Sequence, residues 1–346
     1  MTGQDFIPII DISAFTAGDP ASSARVVEAV RGACEKIGFF VVTGHGVSDA
    51  LVARMYDTSR AFFDLPPEQK ARVAETGALR GGLMHFGFEA ERLAGTRGEA
   101  TPGDLKESLD YGPHFWGDAW PGEPAGLEAI WHEYYRALSG LAGDIRGIFT
   151  AAIGLPAGYL DDKFDDHMST LRVLDYPDTG VAPLPGQLRA GAHTDYGVLT
   201  ILRSEDKPGG LEVLNRAGAW LGVPAVAGGF VVNIGDAMMR WTNDRWVSTL
   251  HRVVNPPADA RGSCRRQSIA FFHNLNRDAV IECLAPFHGP DDPPKHPPIA
   301  YGDYAELRYR QAHGADKTLG LGAGQGPDRT VPSAATGSPD RSTIEK

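Results

Sequence analysis

The chain has 346 residues, 42% hydrophobic and 22% charged, the balance of a globular protein that buries a substantial core. Its 33 basic and 44 acidic residues leave a net charge of −11, which speaks against nucleic acid or an anionic membrane as the main partner, because both favour a basic surface. The 42 Gly and 25 Pro supply turns for many short strands and disfavour a helical bundle.

A strand is expected over Ile7–Ile12. Asp19 then caps a helix with Pro20 in its first turn, and Val26, Val27, Val30, Ala33 and Ile37 recur at helical spacing. The β-rich run Phe39–Thr43 leads into Gly44-His45-Gly46, after which Ser48 caps a second helix carrying Leu51, Val52, Met55, Phe62 and Phe63. Residues 75–125 read as long loops with short strands, and a strong helix follows at about 126–153.

From residue 170 the texture changes to short apolar runs between Gly, Pro and Asp turns. Strands are expected near Leu171–Tyr176, Ala190–Leu202, Leu211–Leu214, Phe230–Ile234, Thr249–Val254, Gln267–His273 and Val280–Leu284, the pattern of an antiparallel sandwich or barrel. A last helix is expected over 302–313, and 319–346 reads as a disordered tail. The N-terminus lacks the pattern of a signal peptide, and no apolar run is long enough to span a bilayer. Cys34, Cys264 and Cys283 form no C-x-x-C pair and suit a reducing compartment, so a cytoplasmic enzyme is expected.

The most informative segment is Gly191-Ala192-His193-Thr194-Asp195-Tyr196-Gly197. Residues i and i+2 of a strand share a face, so His193 and Asp195 can converge on one metal ion. Among downstream histidines, His288 and His296 lie in a Pro-rich loop and His313 near the tail. The choice of third ligand lies between His251 and His273, and parity decides it. If Arg266 and Ser268 of Arg266-Gln267-Ser268 face a pocket, His273 faces away, which leaves His251. Two His and one carboxylate form the facial set of non-haem Fe(II) oxygenases, although Zn(II) can use the same side chains. The guanidinium of Arg266 and the hydroxyl of Ser268 on one strand face suit a carboxylate ligand.

With these residues in place, the chain resembles the isopenicillin N synthase-like branch of the Fe(II)/2-oxoglutarate-dependent dioxygenases. The likeness extends to Ile7-Pro8-Ile9-Ile10-Asp11, Gly38-Phe39-Phe40-Val41-Val42-Thr43-Gly44-His45-Gly46, Asn233-Ile234-Gly235-Asp236 and Leu250-His251-Arg252-Val253. It implies a mainly β fold with flanking helices, built on a double-stranded β-helix (a cupin-like jelly roll). Its expected organisation is an N-terminal helical and loop region over 1–165, packed on a barrel over 166–318. The resemblance also implies Fe(II) on His193, Asp195 and His251, and 2-oxoglutarate with its distal carboxylate on Arg266 and Ser268, helped by Tyr176. O2 would be the second co-substrate, and decarboxylation to succinate and CO2 would drive oxidation of a small molecule by hydroxylation, desaturation or cyclisation.

For that substrate, an amino acid or secondary-metabolite precursor, the candidates are Arg172, Glu89, Lys106, Glu107, Tyr196 and Phe272. Arg172 could bind a second carboxylate or sit in an ion pair, and the loop charges Glu89, Glu91, Lys106 and Glu107 read more simply as solvated. Three other readings use the same residues: a 2-oxoglutarate-independent Fe(II) oxidase, a Zn hydrolase and a non-catalytic binding module. The oligomeric state is open between monomer and dimer.

Overall fold

The structure, a computed structural model, describes residues 6–70, 84–85 (backbone alone), 91–114, 120–178, 180 and 182–313. The expected tail at 319–346 lies outside these residues. In chain order the structure runs β1 (Ile9–Asp11), α1 (Ser13–Thr16), α2 (Pro20–Lys36), β2 (Phe39–Thr43), α3 (Asp49–Phe63), β3 (Met84–His85), β4 (Glu107–Tyr111) and α4 (Leu127–Ile153). It continues with β5 (Thr170–Tyr176), β6 (Ala190–His193), β7 (Leu199–Ser204), β8 (Leu211–Leu214), β9 (Trp220–Gly222), β10 (Phe230–Ile234) and α5 (Asp236–Trp241). β11 (His251–Val253), β12 (Arg266–His273), β13 (Val280–Ile281), β14 (Ile299–Ala300) and α6 (Tyr301–His313) complete it.

Two sheets make the jelly roll. The larger has the order β1-β2-β10-β7-β12-β5-β4-β3, and the smaller β6-β11-β8-β9. Side-chain alternation assigns the faces of the larger sheet. Phe40, Val42, Leu171, Val173, Ile269 and Phe271 join a core with the helices, including Val30 of α2, Met55 of α3 and Trp131 of α4. Their strand neighbours Phe39, Val41, Leu174, Tyr176 and Ala270 face inward to Leu211, Val213 and Val253 of the smaller sheet. The space between the sheets is where the site forms. Among the described residues, no helix is long and apolar enough to cross a membrane.

Local chemistry explains the helix ends. The Asp19 carboxylate accepts the Ser22 N–H at 3.0 Å, with Pro20 in the first turn, as its sequence position implies. Ser48 stands at the N-cap of α3, but its side chain makes no capping bond. Helix α4 stops at Gly154, whose φ of 84° lets the Gly154 and Leu155 N–H groups return to the Ala151 and Thr150 carbonyls.

Two expected strands differ markedly. The run Ala190–Leu202 is two strands, β6 and β7, separated by residues 194–198. The interruption is fastened by α5: Asp236 N–H donates to the Asp195 carbonyl at 2.8 Å and Ala237 N–H to that of Gly197 at 3.2 Å. Gly235 permits the approach, since a Cβ there would lie 2.4 Å from the Gly197 oxygen. Neither α5 nor β9 is read from the sequence, and the strand expected over Val280–Leu284 ends at Ile281.

Candidate active site

β6 and β11 pair antiparallel with His193 directly opposite His251. Asp195 follows β6 in the turn held by α5, so its convergence with His193 arises from the turn rather than from strand alternation. Asp195 Oδ1 lies 3.9 Å from His193 Nε2 and 3.7 Å from His251 Nε2, and all three ligand atoms lie within 4.8 Å of one another. This is the one such cluster of metal-ligating side chains among the described residues.

Hydrogen bonds preset each ligand. His193 Nδ1–H donates to the Gly191 carbonyl at 2.7 Å and His251 Nδ1–H to that of Thr249 at 3.0 Å, which leaves both Nε2 lone pairs for a metal. Asp195 Oδ2 accepts from Thr200 Oγ1 at 2.5 Å and from Asn233 Nδ2 at 2.7 Å, so Oδ1 is the oxygen presented. Burial works against ionisation of Asp195, but His251, His193 and the two donors together hold its carboxyl below the ordinary range. Burial and the neighbouring His251 push His193 down to about 3, which keeps its imidazole neutral and able to ligate. Thr200 was not read from sequence, and Asn233 entered only as part of a motif.

The trio opens into a cavity of about 190 Å³. Parity in β12 holds: Arg266, Ser268, Ala270 and Phe272 line the cavity, while His273 faces the helices, bonded to Ser169 Oγ at 3.0 Å and stacked on Phe164. Arg266 Nε donates to the Glu205 carbonyl at 3.1 Å, and its buried Nη1 has no partner. Ser268 Oγ is 3.0 Å from Ser204 Oγ, and the Tyr176 ring lies 5.9 Å from the Arg266 guanidinium carbon.

The adjoining β4 and β5 part of the lining is a buried charge network. Arg172 donates to both oxygens of Asp110, at 2.8 and 2.6 Å, and to Glu91 at 3.2 Å. Lys106 Nζ meets Glu91 at 2.6 Å and Asp104 at 3.2 Å. Burial disfavours this ammonium, but Glu91 and Asp104 more than offset it and hold Lys106 above its ordinary value. Of the two readings of Arg172, the ion pair is the one observed.

Lys106 and Glu91 correct the reading of loop charges as solvated, since their side chains are 1% and 4% exposed. Tyr196 and Phe272 line the cavity, with Arg308 over the Tyr196 ring. Glu107 does not belong there. It follows Lys106 as the first residue of β4, takes the other face and pairs with Lys70 at 2.6 Å. Glu89 lies outside the described residues.

Comparison with known proteins adds a second line. Residues 7–133 match the family described as non-haem dioxygenase in morphine synthesis N-terminal, and residues 167–275 match the 2OG-Fe(II) oxygenase superfamily. A 2-oxoglutarate-Fe(II) type oxidoreductase of Emericella nidulans is 34% identical over 89% of this chain and 90% of its own length. A homoarginine-6-hydroxylase of Glycine max is 35% identical, over 80% of this chain and 88% of its own. A full-length Neurospora crassa protein, solved in complex with alpha-KG and thymine, has a TM-score of 0.76 at 28% identity, covering 88% of this chain and 96% of that one.

Proposed function

The chain belongs to the 2-oxoglutarate- and Fe(II)-dependent oxygenases, and we propose that His193, Asp195 and His251 hold its iron while Arg266, Ser268 and Tyr176 seat the distal carboxylate of 2-oxoglutarate. The reaction couples conversion of 2-oxoglutarate and O2 to succinate and CO2 with oxidation of a small molecule. When bound, iron and 2-oxoglutarate supply the O2-activating chemistry.

The observation that carries the residue assignment is the buried, unpartnered Nη1 of Arg266 at one end of a cavity that also holds the trio. A buried donor without an acceptor is costly, and a ligand carboxylate satisfies it. The remaining residues bind and orient. Gly191 and Thr249 fix the imidazoles, Thr200 and Asn233 fix the Asp195 carboxylate, and the Glu205 carbonyl aims the Arg266 fork.

The test is an anaerobic titration of the apo-protein with Fe(II) and then 2-oxoglutarate, following the weak visible charge-transfer band of the chelate. The band is expected in the wild type and is expected to vanish in Arg266→Leu at the same ligand concentration, with iron retained. Iron binding without a band in the wild type, or an unaltered band in Arg266→Leu, overturns the assignment.

For the substrate, the reading is a small polar molecule of the amino-acid type, oxidised by hydroxylation. Its support is the wall of Asp110, Arg172, Glu91 and Lys106, with the phenols of Tyr196, Tyr301 and Tyr309 beside it. The Glycine max relative, named for hydroxylation of an amino acid, points the same way. Succinate release screened across cationic and neutral amino acids, nucleobases and apolar acids tests this, and stimulation by apolar compounds alone refutes it. The free thiols Cys34, Cys264 and Cys283 favour a cytosolic location.

A further inference from the structure

A second cation stands behind the co-substrate end of the cavity. Arg189, the residue before β6, is 3% exposed. Its guanidinium donates to the carbonyls of Pro208 at 2.9 Å, Gly209 at 3.3 Å and Cys264. It lies 5.7 Å from the Tyr176 ring centroid, and Arg266 lies 5.9 Å from the same centroid. Two buried guanidiniums therefore converge on one phenol ring.

Neither is neutralised. Among the described residues no carboxylate pairs with Arg189 or Arg266, whereas Arg172 and Lys106 in the same cavity are each matched by two. Carbonyl dipoles satisfy the Arg189 N–H groups but do not cancel its charge. Burial, reinforced by the adjacent Arg266, lowers its proton affinity below the ordinary arginine value and outweighs the opposing pull of Tyr176, Cys264 and Asp178, none of which forms an ion pair with it. A buried charge left without its opposite is strongly unfavourable, so this end of the cavity is organised around an anion that arrives with the ligand.

We infer that Arg189 is a second electrostatic determinant of the co-substrate site, which with Arg266 makes the cavity prefer a 2-oxo acid carrying a distal carboxylate over one that lacks it. The inference rests on the seating of 2-oxoglutarate at Arg266. Arg266 has the free Nη1 for contact, while Arg189, committed to three carbonyls, is a positioning residue. It acts through its field and through the Tyr176 ring that both arginines approach.

The experiment compares 2-oxoglutarate with 2-oxopentanoate, which has the same five-carbon chain without the distal carboxylate. Dissociation constants for both are measured anaerobically by calorimetry on the Fe(II)-loaded wild type, Arg189→Gln and Arg189→Lys. Arg189→Gln is expected to weaken 2-oxoglutarate about tenfold or more, the scale of a unit charge roughly 7 Å away at an effective dielectric constant near 20. Its 2-oxopentanoate constant stays within about twofold, and Arg189→Lys, which keeps the charge, retains most of the preference.

Equal weakening of both acids by Arg189→Gln marks a merely structural residue and overturns the inference. So does a Lys variant as unselective as the Gln variant. Should Arg189→Gln not fold, Arg189→Lys decides alone: kept preference supports the inference and lost preference overturns it. A wild type without preference for 2-oxoglutarate instead refutes the Arg266 seating, a separate failure.

Discussion

Replacing Arg172 with Leu is expected to cost the apo-protein about 4 kcal/mol, because removing one partner of a buried ion pair leaves the other uncompensated at roughly 3–5 kcal/mol. Arg172 makes two bonds to Asp110 and one to Glu91, and both carboxylates are 4% exposed. Glu91 keeps Lys106, so most of the loss falls on Asp110. In a chain of this size that corresponds to a melting temperature lower by about 6 °C. Urea denaturation of Arg172→Leu, Asp110→Leu and the double variant measures it. The double variant is expected to be more stable than the single losses predict by about 1–3 kcal/mol.

The deficit also depends on pH. Burial already raises the Asp110 carboxyl above its ordinary value against the pull of Arg172, and loss of Arg172 raises it further. The folded variant then holds a proton that the unfolded chain has released. Its stability therefore falls as pH rises from the unfolded carboxylate value through the folded one, and the deficit relative to the wild type shrinks as the solution is acidified. A loss below about 1 kcal/mol at neutral pH, or strict additivity in the double variant, refutes the buried-pair argument.

Three further outcomes are expected. His193→Ala and Asp195→Ala lose stoichiometric Fe(II) with little change in folding, checked by metal analysis beside circular dichroism; retained iron in both rejects the trio. Thr200→Val and Asn233→Ala, which free Asp195 Oδ2, weaken Fe(II) by about 10–100-fold, as loss of groups that orient a metal ligand typically does, and calorimetry reads it. Burial, then His167 and Arg146, pushes the His273 imidazole well below its ordinary value, so the unfolded chain takes up that proton first as pH falls. The wild type is expected to lose about 1.4 kcal/mol per pH unit below roughly pH 6.5 from this residue, and His273→Gln to lack that component.

The site's strand-borne parts were legible because each depends on parity within a few residues. Arg266, Ser268 and Phe272 share a face in β12, Arg172 and Tyr176 share one in β5, and the face that excludes His273 as a ligand follows from the same count. What escaped depends on residues far apart in the chain. The partners of Arg172 lie 62 and 81 positions away, and charges in a Gly-rich loop read as solvated until their counter-charges are placed. Glu107 failed by one position: adjacent residues at the start of β4 face opposite ways, so Lys106, just before the strand, enters the cavity and Glu107 does not. The break at 194–198 was hidden because it is imposed by N–H groups of α5 some forty residues later.

The charges of the cavity divide by whether they are already matched. At the β4 and β5 wall, Arg172 and Lys106 are saturated by Asp110, Glu91 and Asp104, so this side offers oriented dipoles and residual N–H groups at fixed positions. A substrate there gains by shape and hydrogen bonds, and an ion entering it would have to displace an existing partner. At Arg266 and Arg189 no carboxylate forms an ion pair among the described residues, so an entering dianion meets attraction without displacing a paired one. This asymmetry orders occupancy along the cavity. On the proposed seating of 2-oxoglutarate at Arg266, the anionic co-substrate is drawn to the unmatched guanidiniums, and the paired network of Arg172 and Lys106 is the lining proposed for the molecule to be oxidised.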